Sequence, residues 1–122
     1  ASQDLVATLA TLLGADRVLT DPATRALFSS DLYAEGPACA GVIRPRDAAT
    51  LAAAVAAITA AGHAVLPRGG GLSYTGGYIA DTGRAVVVDT RDLAGIHELD
   101  AGGMTVTVGS GTTWEAIDRA LA

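Results

Sequence analysis

Residues Pro67-Arg68-Gly69-Gly70-Gly71-Leu72-Ser73-Tyr74-Thr75-Gly76-Gly77 put five glycines into eleven positions, directly after an apolar run. Glycine loses more freedom than any other residue when it is ordered. Such a cluster therefore marks either tight turns alone or a ligand lying against bare backbone. Successive N–H groups in a loop of this kind can converge and form a concave anion site. The length of this cluster and its place after a strand favour the anion. Two known phosphate motifs fail residue by residue. Gly71 to Gly76 has the spacing of a Walker A loop, but Gly77 stands where that loop needs Lys, and the chain contains no Lys at all. A P-loop ATPase is excluded on that point. A dinucleotide fingerprint, G-x-G-x-x-G, opens a helix. Gly69 and Gly71 fit its first two positions, but Tyr74 takes the third, and the segment leads to a turn and a strand. Asp89 stands about 20 residues on, where that motif places its ribose-binding acid, and is a decoy without the helix.

A second segment, Val108-Gly109-Ser110-Gly111-Thr112-Thr113-Trp114-Glu115, has ligand-like features. Thr112 and Glu115 have the T-x-x-E spacing of a capping box, which predicts a helix start. A helix N-terminus offers free N–H groups and a partial positive charge to an anion. Alone, the segment reads as plain capping. Paired with the first loop, and like it following a strand, it is expected to form a second wall of one site. Arg68 could donate to a phosphate or pair with Asp81 or Asp89, and the sequence leaves both open. Tyr74 and Tyr78 are expected to pack, Trp114 to lie against a hairpin, and Cys39 to be a buried, inert thiol. Ser29 to Tyr33 is a weaker candidate for approach to the site. His63 and His97 read as ordinary polar residues. No Ser-His-Asp arrangement is identifiable, and no metal site is expected.

The elements that must position these segments follow from periodicity and punctuation. Leu5, Leu9, Leu12 and Leu13 predict a helix over 3–13 that ends at Gly14. Val18-Leu19 is short and extended. Asp21-Pro22 starts a second short helix, and 29–40 is a loop. A strand at 41–44, a helix at about 48–61 capped by Asp47 and closed by Gly62, and a strand at 64–67 make a strand–helix–strand unit suited to parallel pairing. Ala85 to Asp89 is a strand whose unbroken apolar run predicts burial on both faces. Ile96–Leu99 and Thr105–Val108 form a hairpin across Asp100 to Gly103. A last helix starts near Thr112 and shows no stop signal at Ala122, so the domain is expected to be incomplete. The fold class is α+β, a small strand–helix–strand unit followed by the start of a mixed sheet. Residues 1–40 form a leading helical segment and 41–122 the domain proper.

Half of the chain is hydrophobic and 17% is charged, a globular composition. The net charge is −5, and all eight basic residues are scattered arginines. Nucleic acid is therefore not expected as a partner. An anion must be held locally, by backbone N–H groups or one placed Arg. One cysteine forbids an internal disulfide and fits a reducing, cytoplasmic setting. No signal peptide or membrane span is expected.

Taken in order, these features are a strand, P-R-G-G-G-x-S, G-G, an apolar strand ending in Asp, a hairpin, and V-x-x-G-x-x-x-x-x-[IL] opening a helix. The pattern resembles the FAD-binding domain of the vanillyl-alcohol-oxidase (p-cresol-methylhydroxylase, PCMH-type) flavoprotein family. It is nearest the branch with D-lactate and glycolate dehydrogenases and alkyl-dihydroxyacetone-phosphate synthase. The likeness covers about residues 40–122, and 1–39 fit it loosely. It implies that Pro67, Arg68, Gly69, Gly70, Gly71, Leu72 and Ser73 wrap the FAD diphosphate, with Gly76 and Gly77 close by. It places Gly109, Gly111, Thr112, Thr113 and Trp114 near the flavin and ribityl chain. Some members bind the flavin covalently through a His after the third glycine. Leu72 stands there, which implies non-covalent FAD. The implied activity is oxidation of a small 2-hydroxy acid or alcohol, with the acid–base groups and any oligomer contacts in regions outside this chain. The electron acceptor is left open. A nucleotide- or phosphate-binding module without redox activity is the rival reading. The related peptidoglycan-precursor reductase is disfavoured, because Tyr74 follows Ser73 where that enzyme's loop carries Asn.

Overall fold

The structure is a computed structural model describing residues 3–32, 34–73 and 75–122. Leucines at every fourth position give α1 (Gln3–Leu13) one apolar stripe, and Leu5, Leu9 and Leu13 are buried along it. A turn at Ala15–Arg17 leads into β1 (Val18–Leu19). The carboxylate of Asp21 then accepts the Thr24 N–H and starts α2 (Pro22–Leu27), with Pro22 at its first position. β2 (Gly41–Ile43) is buried throughout. The Asp47 carboxylate accepts the Thr50 N–H to cap α3 (Ala48–Ala60). Gly62, with φ of 75°, donates to Thr59 O while His63 N donates to Ile58 O. This pair of bonds is the left-handed C-terminal stop that glycine permits.

β3 (Ala64–Arg68) and β4 (Ala85–Asp89) complete a four-stranded sheet in the order β1-β2-β4-β3. β2 and β3 both run parallel to β4, and β1 is antiparallel to β2. The expected strand–helix–strand unit forms, but β4 lies between its two strands. The reason is in the side chains. All five residues of β4 are buried, as its unbroken apolar run predicts, and pairing with β2 on one side and β3 on the other leaves it no free edge. β3 contains Pro67, which has no N–H to donate and is tolerated at a sheet edge.

The two faces of β4 alternate, as the two-residue period of a strand requires. Val86 and Val88 join Ile43, Ala54, Ile58 and the α1 leucines in the larger core. Val87 turns the other way and packs with Phe28, Cys39 and Val42. The hairpin of β5 (Ile96–Asp100) and β6 (Thr105–Val108) forms a separate two-stranded sheet. Asp100 Oδ1 accepts Gly103 N–H at 2.9 Å and shapes its turn. α4 (Trp114–Leu121) follows, with Thr113 as its cap through a 3.1 Å bond to the Ala116 N–H. The predicted start at Thr112 is therefore one residue early. Among the described residues, no helix is long and apolar enough to cross a membrane.

Candidate cofactor site

β3 and β4 are parallel and in register, with Arg68 opposite Asp89, so their carboxyl ends finish together. Open parallel sheets bind ligands at that end, where the loops diverge. The glycine loop leaves from Arg68, and a turn at 90–95 leaves from Asp89. Thr90 N–H donates to Arg68 O at 3.1 Å and clamps the two exits together. The strand after the hairpin turn then returns to the same place. Gly109 N–H donates to Gly95 O, Gly111 N–H donates to Leu93 O, and Thr112 Oγ1 both accepts from Gly95 N–H (2.9 Å) and donates to Gly95 O (3.2 Å). A side chain at either glycine would overlap backbone. An added Cβ at Gly111 would lie 2.7 Å from the Thr90 carbonyl carbon, and one at Gly109 would lie 2.9 Å from that of Leu93.

These contacts bring the two predicted segments face to face across a cleft of about 710 Å³. Gly69, Gly70 and Leu72 form one wall; Gly111, Thr112, Thr113 and Trp114 form the other; Arg91 and Ser110 complete the lining. Gly109 lies behind the second wall, packed on the turn. Pro67 lies in the edge strand and Gly76 and Gly77 fall outside the cleft lining. Gly76 N–H instead donates to Asp31 Oδ2 at 3.0 Å. Asp31, from the segment that began as a weaker candidate, thus touches the far end of the loop. Tyr33 and Tyr74 lie outside the described residues.

The backbone of the first wall is poised for an acceptor. Among the described residues, no hydrogen-bond acceptor is found for the N–H groups of Gly69, Gly70, Gly71, Leu72 or Ser73. A Cβ added at Gly70 would meet nothing within 4 Å, so there is open space at Gly70, and Gly69, Gly70 and Leu72 line the cleft. Five neighbouring amides without internal partners, beside a cleft, fit an anion with several oxygens, such as a diphosphate.

Arg68 pairs with neither Asp81 nor Asp89. Its guanidinium lies between the rings of Phe28 and Tyr78, 4.5 Å from each centroid, where the π faces attract it. Tyr78 packs as expected, and its hydroxyl donates to Gly71 O at 2.8 Å. Arg68 and Tyr78 thus brace the glycine loop from behind. Asp89 is buried and belongs to two other arginines: Arg44 Nε lies 3.0 Å and Arg91 Nε 2.7 Å from its Oδ2. Trp114 is not packed on the hairpin; it is 84% exposed at the cleft wall. Cys39 is buried, with Sγ 3.6 Å from Arg25 O. His63 is buried against Ala61 O and His97 is exposed. The clearest carboxylate shifts lie away from the cleft. The Thr50 N–H holds Asp47 below its ordinary value, and the Thr24 N–H does the same for Asp21. Residue spacing missed Arg91 and Ser110. The signal for Arg91 was the triplet Asp89-Thr90-Arg91 at a strand end beside a glycine loop.

A family model described as FAD binding domain matches residues 39–122. The chain belongs to that FAD-binding family. Solved structures of similar fold include p-cresol methylhydroxylase with substrate bound, at 15% identity and a TM-score of 0.80 over 98% of this chain and 24% of that one. Alkyldihydroxyacetonephosphate synthase matches at 17% identity and a TM-score of 0.83, over 99% of this chain and 25% of that one. 4-Ethylphenol oxidase from Gulosibacter chungangensis, in an isoeugenol complex, matches at 17% identity and a TM-score of 0.82, over 98% and 24%. A comparison with curated protein sequences gives no match. The chain spans about a quarter of the length of these solved relatives. The expected α+β fold of the PCMH type, with a partly parallel sheet, is borne out.

Proposed function

We propose that the cleft holds the diphosphate of FAD, and that the chain is the FAD-binding part of a flavin-dependent oxidoreductase. The observation carrying this reading is the row of five amides from Gly69 to Ser73 without acceptors among the described residues, set at the carboxyl ends of two parallel strands. Pro67 and Arg68 fix where the loop departs, and Gly76 and Gly77 close it. The second wall, from Gly109 through Gly111, Thr112 and Thr113 to Trp114, faces the ribityl and flavin end. Trp114 has an exposed apolar ring to offer there. Bound FAD would supply an electron-accepting ring, while this chain's residues bind and orient it. Leu72 lines the cleft where some relatives carry a flavin-linking His, and its hydrocarbon side chain cannot form that bond. FAD is therefore held non-covalently at this position.

The intact protein, on this reading, oxidises a small 2-hydroxy acid or alcohol and stands near the D-lactate and glycolate dehydrogenase branch. The glycine loop P-R-G-G-G-x-S supports that placement. Residues 1–40 act as a leading helical segment and 41–122 as the cofactor-binding part. A single buried cysteine supports a reducing, cytoplasmic setting. The test is a thermal-shift comparison of FAD, ATP and ADP-ribose on this chain. FAD is expected to raise the melting temperature most. A larger shift with ATP or ADP-ribose would replace the flavin reading with a general nucleotide-binding one.

A further inference from the structure

The positive charge in the cleft comes from a residue outside the glycine loop. The chain carries a net charge of −5, so a diphosphate approaching it meets overall repulsion. Arg68 cannot relieve this from within the cleft, because its guanidinium is stacked between Phe28 and Tyr78 behind the loop. Arg91 lines the cleft between the two walls. Its Nε is fixed on Asp89 Oδ2 at 2.7 Å and its backbone N–H donates to Asp89 Oδ1 at 3.1 Å. One buried carboxylate thus holds both the backbone and the side chain of Arg91. Among the described residues, its two terminal nitrogens have no partner, and its side chain is 54% exposed. Asp89 is already paired with Arg44, at 3.0 Å. The three groups therefore carry two positive charges against one negative, and Arg91 brings the net positive charge to the cleft that Gly69, Gly70 and Leu72 also line.

We propose that Arg91 is a side-chain anchor for the anion held by the glycine loop, and that Asp89 is its positioning residue. The inference rests on the diphosphate reading of the cleft and adds a residue to it. A guanidinium presents paired N–H donors in a plane that matches two phosphate oxygens. The pairing with Asp89 orders the side chain before the ligand arrives, so less side-chain freedom is lost on binding.

The test is fluorescence titration of FAD and of riboflavin, which lacks the diphosphate, into the wild-type chain and into Arg91→Met and Arg91→Lys. Arg91 is half exposed and Asp89 keeps Arg44, so Arg91→Met is expected to fold; its circular dichroism and melting temperature verify that. Arg91→Met should weaken FAD binding about tenfold or more, as loss of a charged hydrogen-bond donor does, and leave riboflavin binding within about twofold. Arg91→Lys should fall between. Added salt should weaken FAD binding to the wild type more than to Arg91→Met. Unchanged FAD affinity in a folded Arg91→Met, or equal losses for FAD and riboflavin, would overturn the inference while leaving the flavin reading intact. A wild-type chain that binds neither compound would overturn the flavin reading itself, and this assignment with it.

Discussion

Two glycines on opposite walls of the cleft should respond to the same substitution in opposite ways. At Gly111 an added methyl would overlap the Thr90 carbonyl oxygen outright and lie 2.7 Å from its carbon and 2.9 Å from the Arg91 carbonyl carbon. These are backbone atoms at the exit of the buried β4 strand, so the hairpin must move away instead. Overpacking of this kind costs about 1–3 kcal/mol, sometimes more. Movement also breaks the Gly111–Leu93 bond and the Thr112–Gly95 clip, each worth about 1 kcal/mol. Gly111→Ala is therefore expected to destabilise by about 3–5 kcal/mol, a large share of the roughly 5–15 kcal/mol that holds a domain together. At Gly70 the added methyl meets nothing within 4 Å, and the residue is not among the positive-φ glycines. Gly70→Ala should then be neutral or stabilise by about 0.4–1 kcal/mol, because alanine restricts the unfolded chain. Urea unfolding followed by circular dichroism measures both, with hydrogen exchange at Gly95 and Gly109 reporting local undocking of the hairpin. A Gly111→Ala protein with the wild-type urea midpoint and unchanged exchange would refute the claim that backbone contact at Gly111 builds the second wall.

Gly70→Val should keep the fold but fill the open space at Gly70 in the cleft wall, lowering FAD occupancy after gel filtration at least tenfold by analogy with the loss of charged hydrogen bonds; Leu72→Ala should change it much less, and equal flavin content in both would contradict the placement of the diphosphate. Ile58 of α3 is fully buried in the core it shares with the α1 leucines and the sheet, so Ile58→Ala should lose about 2–5 kcal/mol in the same urea assay. Asp47 caps α3, and its bond to the Thr50 N–H lowers its pKa from the ordinary 3.8. A lowered folded-state pKa means that this contribution is fully present above 3.8 and is lost as pH falls through the lowered value. Acid unfolding of Asp47→Asn should accordingly show a smaller loss of stability across that range than the wild type, and parallel curves would show that the cap contributes nothing.

The elements were readable wherever a local period or cap determined them. The leucine spacing of α1, the Asp47 cap and Gly62 stop of α3, the apolar run of β4 and the hairpin turn each need only a few neighbouring residues. The sheet order was not readable in this way. Inserting β4 between β2 and β3 depends on which strand can be covered on both sides, a comparison between elements distant in sequence. The same limit explains Thr112. Two adjacent threonines can each cap a helix, and the choice falls to Thr113 because Thr112 is held by Gly95, 17 residues away. Arg68 and Arg91 were likewise decided by long-range partners, the aromatic pair around one and the buried carboxylate under the other. The glycine loop itself was visible at once, since a dense run of glycines after a buried strand has few structural uses. Its pairing with the second segment was expected because both follow strands, and the fold supplied the contacts that make it, the bonds of Gly109, Gly111 and Thr112 to the 90–95 turn.

Binding of the FAD diphosphate by the amides of Gly69 to Ser73 is the central claim. Amide chemical shifts of the isotopically labelled chain, recorded with FAD and then with riboflavin, test it most directly. FAD should shift these five resonances and slow their hydrogen exchange, and riboflavin should leave them in place. Shifts from FAD that spare all five, or equal shifts from both compounds, would show that the diphosphate is held somewhere else.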